Sequence, residues 1–430
     1  MAWLEIDLDR LGANLAAVRR ALPPGVRLEP VVKADAYGHG AVPVASWLER
    51  SGADGLCVAT LDEGLALRRA GVRLPILVLY PIPPDGAPVA AQAGLALAIG
   101  DRTLLERTIA ALATGAHPDT GRPGWVVPLH VEIETGLGRG GVAVADLAAT
   151  IATIDASPFV ELAGIWSHLA APEAAERSAG QAAAFAAALE TIGATDAAPV
   201  VILEAEVDAD SDAIATGRTA RIRPIRHLAA TGGFLAVSAP DYDSVRLGLG
   251  LYGLLPDRLP PDAATAAVVT ALRPVMSLHA RPVRVADLPA GHGIGYGPSH
   301  VTTRPSRIAT LPIGYGDGWP RSLSNWAEAL VRGRRVPLVG TVAMDAVMAD
   351  VTDIAGEPVT VDDEFVLLGA QEGVLGSDEI PAWELAQRRT TIAWEVVTQM
   401  ARRMPRVYHA AAVPVGVRTL TEEVYLWSLE

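Results

Sequence analysis

The chain has 430 residues, half of them apolar, and a formal net charge of −14. That length exceeds what one core usually organises, so two domains are expected. The acidic balance, with no Lys/Arg cluster, argues against nucleic acid and anionic membranes as partners. A lone cysteine, Cys57, excludes an intrachain disulfide and a thiolate metal centre. Met1–Asp7 lacks a basic n-region and an apolar h-region, and no apolar run reaches membrane-spanning length. A cytoplasmic protein without a metal is expected.

Trp3 to Asp9 alternates apolar and acidic residues and reads as a half-buried strand. Asp9 is expected to cap a helix whose apolar positions are Leu11, Leu15, Val18 and Leu22. A short apolar strand then alternates with Ala/Arg-rich helical stretches. The expected strands are Leu28–Lys33, Gly55–Ala59, Ile76–Tyr80, Leu95–Gly100, Val127–Glu134, Val160–His168, Arg223–Ala229 and Ser244–Leu251. Helical periodicity marks Val42–Ser51, Leu61–Ala70, Leu104–Ala113, Val144–Ala156 and Gly180–Ile192. This alternation is the signature of a (β/α)8 TIM-type barrel. It does not prove closure, since an open doubly wound sheet looks similar, although no Gly-rich dinucleotide fingerprint follows the first strand.

Residues 199–226 interrupt the repeat with an acidic run and then a basic one, and read as an elaborated connection. After Leu255-Pro256 and the Pro260-Pro261 pair the chain becomes strand-rich. Strands are expected at Ala271–Arg284, Ser306–Pro312, Arg335–Val339, Val347–Val351 and Asp363–Leu368, with a helix over Ile392–Met404. The expected division is a barrel over 10–255, with 1–9 and 256–430 forming a mostly β domain.

One residue stands apart. Lys33 is the only lysine; the other basic residues are all arginine. A guanidinium is permanently charged and a poor nucleophile, whereas a desolvated amine can lose its proton and attack a carbonyl. Lys33 ends an apolar run and precedes a glycine-bounded turn, Ala34 to Gly40. Barrel enzymes place their sites at the C-terminal ends of the strands. There Lys33 is joined by Glu134, Arg139, His168, Thr231 and Arg246. Each taken singly could be a packed or ion-paired residue; their convergence on one rim favours a site. Thr231-Gly232-Gly233 and Gly248-Leu249-Gly250 offer hydroxyl and backbone N–H donors where such barrels hold phosphate. A lysine, a phosphate cradle and no metal cluster point to pyridoxal phosphate held as a Schiff base. In the β domain, Tyr296 and Tyr315 each stand between two glycines, in turns that could equally be simple hairpins.

Together these stretches resemble the fold-type III alanine racemase family almost end to end. The most specific match is Val32-Lys33-Ala34-Asp35-Ala36-Tyr37-Gly38-His39-Gly40, supported by Glu134 to Arg139, Val245 to Gly248, Gly295-Tyr296-Gly297, Leu311 to Trp319 and Val339 to Asp345. The resemblance implies an amino-acid racemase that interconverts L- and D-alanine and supplies D-alanine for peptidoglycan. Broad-specificity or serine racemases on the same fold, and a catalytically weak cofactor- or inhibitor-binding homologue, are the alternatives. Lys33 would carry the cofactor and act as one base. Tyr296, from the partner subunit of an obligate head-to-tail homodimer, would be the base on the opposite face. Arg246, oriented by His168, would face the pyridine nitrogen. Arg139 would bear on the cofactor's phenolic oxygen and the substrate carboxylate. Tyr37, Thr231, Gly248 and Leu249 would hold the phosphate. Tyr315, Met344 and Asp345 would shape the substrate side, with Arg321 in the entry corridor.

The chain departs from the family pattern in several places, among them Glu134, which stands for the acid of the family's Asp-Thr-Gly motif. Glu132 stands where the family often has a lysine, carbamylated in some members. Its carboxylate is expected to orient Arg139 directly. Ala230-Thr231 replaces an Asn-Ser pair, Ala343 a cysteine, and Arg402 a phosphate-binding tyrosine.

Overall fold

The computed structural model describes residues 1–115, 124–194, 224–236, 242–256, 259 and 263–425. The first strand, β1 (Ala2–Asp7), leads into a helix over Leu8–Ala21. That helix is capped by Asp7, whose carboxylate accepts the Arg10 N–H at 2.9 Å. Asp9, expected in that role, falls instead in the first helical turn, where a negative charge suits the helix dipole. Its carboxylate takes the backbone N–H of Ala411.

Eight further strands follow: β2 (Arg27–Leu28), β3 (Leu56–Val58), β4 (Ile76–Val78), β5 (Leu95–Ile99), β6 (Val127–Glu132), β7 (Val160–Trp166), β8 (Ile225–His227) and β9 (Ser244–Val245). Strands β3 to β8 pair in parallel, each with the next, and β2 pairs in parallel with β9. Two single bridges, Val31 with Cys57 and Ala230 with Arg246, join the two sets. The eight strands therefore close into a ring, which decides between a barrel and an open sheet. Strands buried on both faces read as unbroken apolar runs, as in Leu56-Cys57-Val58 and Ile76-Leu77-Val78. Helices over Ala41–Arg50, Leu61–Arg69, Arg102–Ala113, Leu147–Asp155 and Ala175–Thr191 connect them.

Several ladders are shorter than expected. Regular pairing of β2 stops at Leu28, ahead of Pro30, which has no N–H to give. Lys33 lies beyond the last bridge, in a turn rather than on a strand. Likewise β9 ends at Val245, and Leu249–Tyr252 forms a 3₁₀ turn. The excursion expected over 199–226 lies outside the described residues as far as Arg223, as does most of the boundary at 256–262.

The rest of the chain builds a large sheet in which β1 is an interior strand. It pairs antiparallel with Met276–Ala280 and parallel with Arg406–Ala410. The single strand expected over Ala271–Arg284 is a helix (Ala266–Ala271) and two strands (Met276–Ala280, Arg284–Leu288), separated by Pro274 and Pro282. The helix expected over Ile392–Met404 is shorter, Ala393–Thr398, and another helix, Ala382–Arg388, precedes it. Among the described residues no helix is long and apolar enough to cross a membrane.

Candidate active site

Lys33 opens a turn of unusual hand. Ala34, Asp35, Ala36 and Tyr37 all have φ between 52° and 55°. An L-residue in that region costs ~1–2 kcal/mol. Four in succession, none a glycine, persist only where neighbours over-determine them. The turn carries both Lys33 and Tyr37, so its hand sets the relative placement of an amine and a phenol. Lys33 is half-buried, and its pKa is lowered, first by burial and then by the charge of Arg139.

The phenol of Tyr37 meets the phosphate-type loops. A Cβ on Gly248 would lie 2.9 Å from the Tyr37 hydroxyl and 4.0 Å from the Thr231 hydroxyl, so glycine keeps this space open. The Thr231 oxygen accepts the N–H groups of Gly248 (3.1 Å) and Gly250 (3.2 Å), which leaves its proton to donate elsewhere. Leu249 stands between these two glycines at the start of the 3₁₀ turn. Two hydroxyls around a glycine-lined gap fit a bound phosphate monoester.

Behind this cradle lies a buried line of nitrogen atoms. Arg246 is 2% exposed and stacks on Trp166, 4.7 Å from the ring centroid. It donates to the carbonyls of Ser167 (2.8 Å) and His227 (3.1 Å), and to Nδ1 of His227. A guanidinium can only donate, so His227 Nδ1 is an acceptor and its proton sits on Nε2. That Nε2 donates to His130 Nδ1 at 2.8 Å, which fixes the second tautomer too. Burial keeps both rings neutral: it lowers His130 to about 4 and His227 well below the usual range, with Arg246 adding to the latter. Burial also lowers Arg246 to about 10, leaving it charged at neutral pH.

The residue that orients Arg246 is therefore His227, not His168. The His227 ring lies directly against the guanidinium, on the strand next to the one that leads into Arg246.

His168 does lie in the same cluster. Burial lowers it to about 3, and the charges of Arg246, Arg139 and Lys33 act in the same direction. Lys33, Arg139, His168 and Arg246 are thus brought together at one mouth of the barrel. Glu132 accepts a hydrogen bond from Arg139 at 3.1 Å. Burial raises the Glu132 pKa, and Arg139 offsets part of that rise. Glu134 serves a different end: its carboxylate accepts the N–H groups of Gly136 and Gly138 and shapes the glycine-rich turn before Arg139.

Tyr80 joins this cluster without being expected there. Its ring centroid lies 6.0 Å from Lys33 Nζ and 5.4 Å from the Arg139 guanidinium, so one aromatic ring lies close to both basic groups. Its place at the end of the run Ile76–Tyr80 is the only signal the sequence carries for it. Arg402 is exposed, and its neighbour Arg403 instead joins Asp317 (2.7 Å) to Asp345 (2.6 Å).

The remaining residues lie on three loops of the β-rich part. Gly340 packs on Ile294, and Gly314 and Gly316 pack on the Ala343 and Met344 carbonyls. This gathers the loops bearing Tyr296, Tyr315, and Met344 with Asp345. All are open to solvent in the single chain: Tyr296 is 75% exposed, Met344 52% and Tyr315 46%. Arg321 is exposed as well.

Comparison with known proteins bears on the family and the fold. The family profile described as alanine racemase, N-terminal domain, matches residues 6–205, and that described as alanine racemase, C-terminal domain, matches residues 275–408. An alanine racemase of Sorangium cellulosum is 37% identical over 94% of this chain and 98% of its own length. One from Symbiobacterium thermophilum is 37% identical over 94% of this chain and 96% of its own. The crystal structure of the Bacillus anthracis alanine racemase with bound L-Ala-P superposes with a TM-score of 0.79 at 28% identity, covering 100% of this chain and 98% of that one. The Streptomyces coelicolor alanine racemase gives 0.76 at 31% identity, covering 95% and 97%.

Proposed function

Because the chain belongs to the alanine racemase family, we propose that it interconverts L- and D-alanine with pyridoxal phosphate and supplies D-alanine for peptidoglycan. The observation that carries this reading is the sole lysine, desolvated at the mouth of a closed barrel, beside a hydroxyl-lined gap that fits a phosphate. When bound to Lys33, the cofactor supplies a ring that withdraws electrons from the substrate α-carbon.

Tyr37, Thr231, Gly248 and Leu249 would hold the phosphate. Arg246 would face the pyridine nitrogen as a donor. A guanidinium that keeps its proton would leave that nitrogen unprotonated, which would weaken the electron sink and disfavour transamination. Arg139, held by Glu132, positions the substrate carboxylate. The lowered basicity of Lys33 leaves more free amine at neutral pH, so it can move the α-proton on one face. Inversion needs a second group on the other face. Tyr296 of the partner subunit takes that role in a head-to-tail homodimer, with Tyr315, Met344 and Asp345 narrowing the substrate side. A cytoplasmic location suits the single buried cysteine.

The test is solvent exchange. L-alanine incubated with the enzyme in deuterated water should gain deuterium at the α-carbon as D-alanine forms. Exchange with full retention of configuration would count against two bases.

A further inference from the structure

The left-handed turn after Lys33 is held from outside. Glu63 accepts the Ala34 N–H at 2.6 Å. On the other side stands the antiparallel pair Arg406–Ala410 and Val413–Arg418, in which Arg406 and Arg418 are cross-strand partners. Arg406 Nε donates to the Gly38 carbonyl at 2.8 Å, and the Tyr408 hydroxyl donates to the His39 carbonyl at 3.1 Å. Arg418 makes a two-pronged ion pair with Asp35, whose Oδ1 also accepts the Ala41 N–H at 2.8 Å. Arg418 is 5% exposed. Asp35 is the one acid inside the turn. Arg418 also lies beyond residue 408, where the matched C-terminal family profile ends.

We propose that Arg418 is a positioning residue: by gripping Asp35 it holds the left-handed turn and so presents the Lys33 amine and the Tyr37 phenol together. Arg406 and Tyr408 bind backbone carbonyls and brace the loop. Arg418 binds a side chain of the turn, the Asp35 carboxylate, and a planar fork fits a carboxylate in one orientation. A lysine keeps the charge and loses the fork. Released, the turn relaxes towards ordinary backbone, Lys33 becomes more hydrated and its amine more basic. The proposal rests on Lys33 being the cofactor lysine.

The sole lysine makes the test direct. Full-length chain freed of cofactor is treated with formaldehyde and cyanoborohydride across a pH series, and methylation of the Lys33 peptide is read by mass spectrometry. Pyridoxal phosphate affinity is measured in parallel from visible absorbance. In R418K the methylation midpoint should rise by about one pH unit, a roughly tenfold fall in free amine at a given pH, and cofactor affinity should weaken about tenfold. D35N should give the same shift, and the double variant no further one. Unchanged midpoint and affinity in a folded R418K would overturn the proposal. If R418K does not fold, an unchanged D35N overturns it instead. Lys33→Ala separates the two claims: visible absorbance retained there refutes the cofactor assignment, while the methylation result still judges the clamp.

Discussion

The mouth of the barrel and the three loops of the β-rich part carry the two halves of the proposed site, and they are built in opposite ways. At the mouth, Arg246, His227 and His130 are buried in a fixed line of hydrogen bonds. On the loops, Tyr296, Tyr315 and Met344 project into solvent. Burial lets charges and dipoles be set before substrate arrives, because low dielectric strengthens every contact. An exposed tyrosine has no such environment until another surface covers it. One half is finished within the chain; the other needs a cover, which the proposed dimer supplies.

Removing the amine should have the largest effect. Lys33→Ala should abolish racemisation and the visible absorbance of bound cofactor, because no other lysine exists; absorbance that persists would break the assignment of the buried half. Tyr296→Phe comes next. It should lower kcat by about 10²–10⁴-fold, the usual weight of a general acid–base group, while cofactor absorbance stays. A variant as fast as the parent would show that the exposed half holds no second base.

Acid should separate the halves. His130 and His168 are lowered to about 4 and about 3, and His227 lies below the usual 6.5. The unfolded chain therefore takes up protons first as pH falls. Stability present above pH 6.5 is lost on acidification towards those folded values, at about 1.4 kcal/mol for each pH unit that separates a ring's folded and unfolded pKa. Calorimetry from pH 7.5 to 4.5 should show a falling Tm; a flat Tm would mean that the line is not held neutral.

Glu132→Gln should act least. The Arg139 partner is partly exposed, so the ion pair is worth about 1 kcal/mol. We expect a roughly fivefold loss in kcat/KM, mostly through KM. No change would show that Arg139 is oriented without Glu132.

Much of this is legible in the sequence. Alternating apolar runs and helical stretches announce the barrel, and the strand ends name Lys33, Arg139, His168 and Arg246. What misleads is local adjacency. His168 and His227 both fall late in expected strands, and nothing in the string says which ring faces Arg246. Tyr80 reads as the end of a strand, with no hint that two basic groups lie close to its ring.

The sequence by itself determined the alternation, the uniqueness of Lys33 and the glycines on either side of Leu249, because these are properties of residue type and short-range period. Only the tertiary structure decided the closure of the ring, the choice of His227 and the grip of Arg418 on Asp35. That pair is separated by 383 residues. Its contact depends on the register of a sheet and on a turn whose hand opposes the intrinsic preference of its own residues, and no local pattern encodes either.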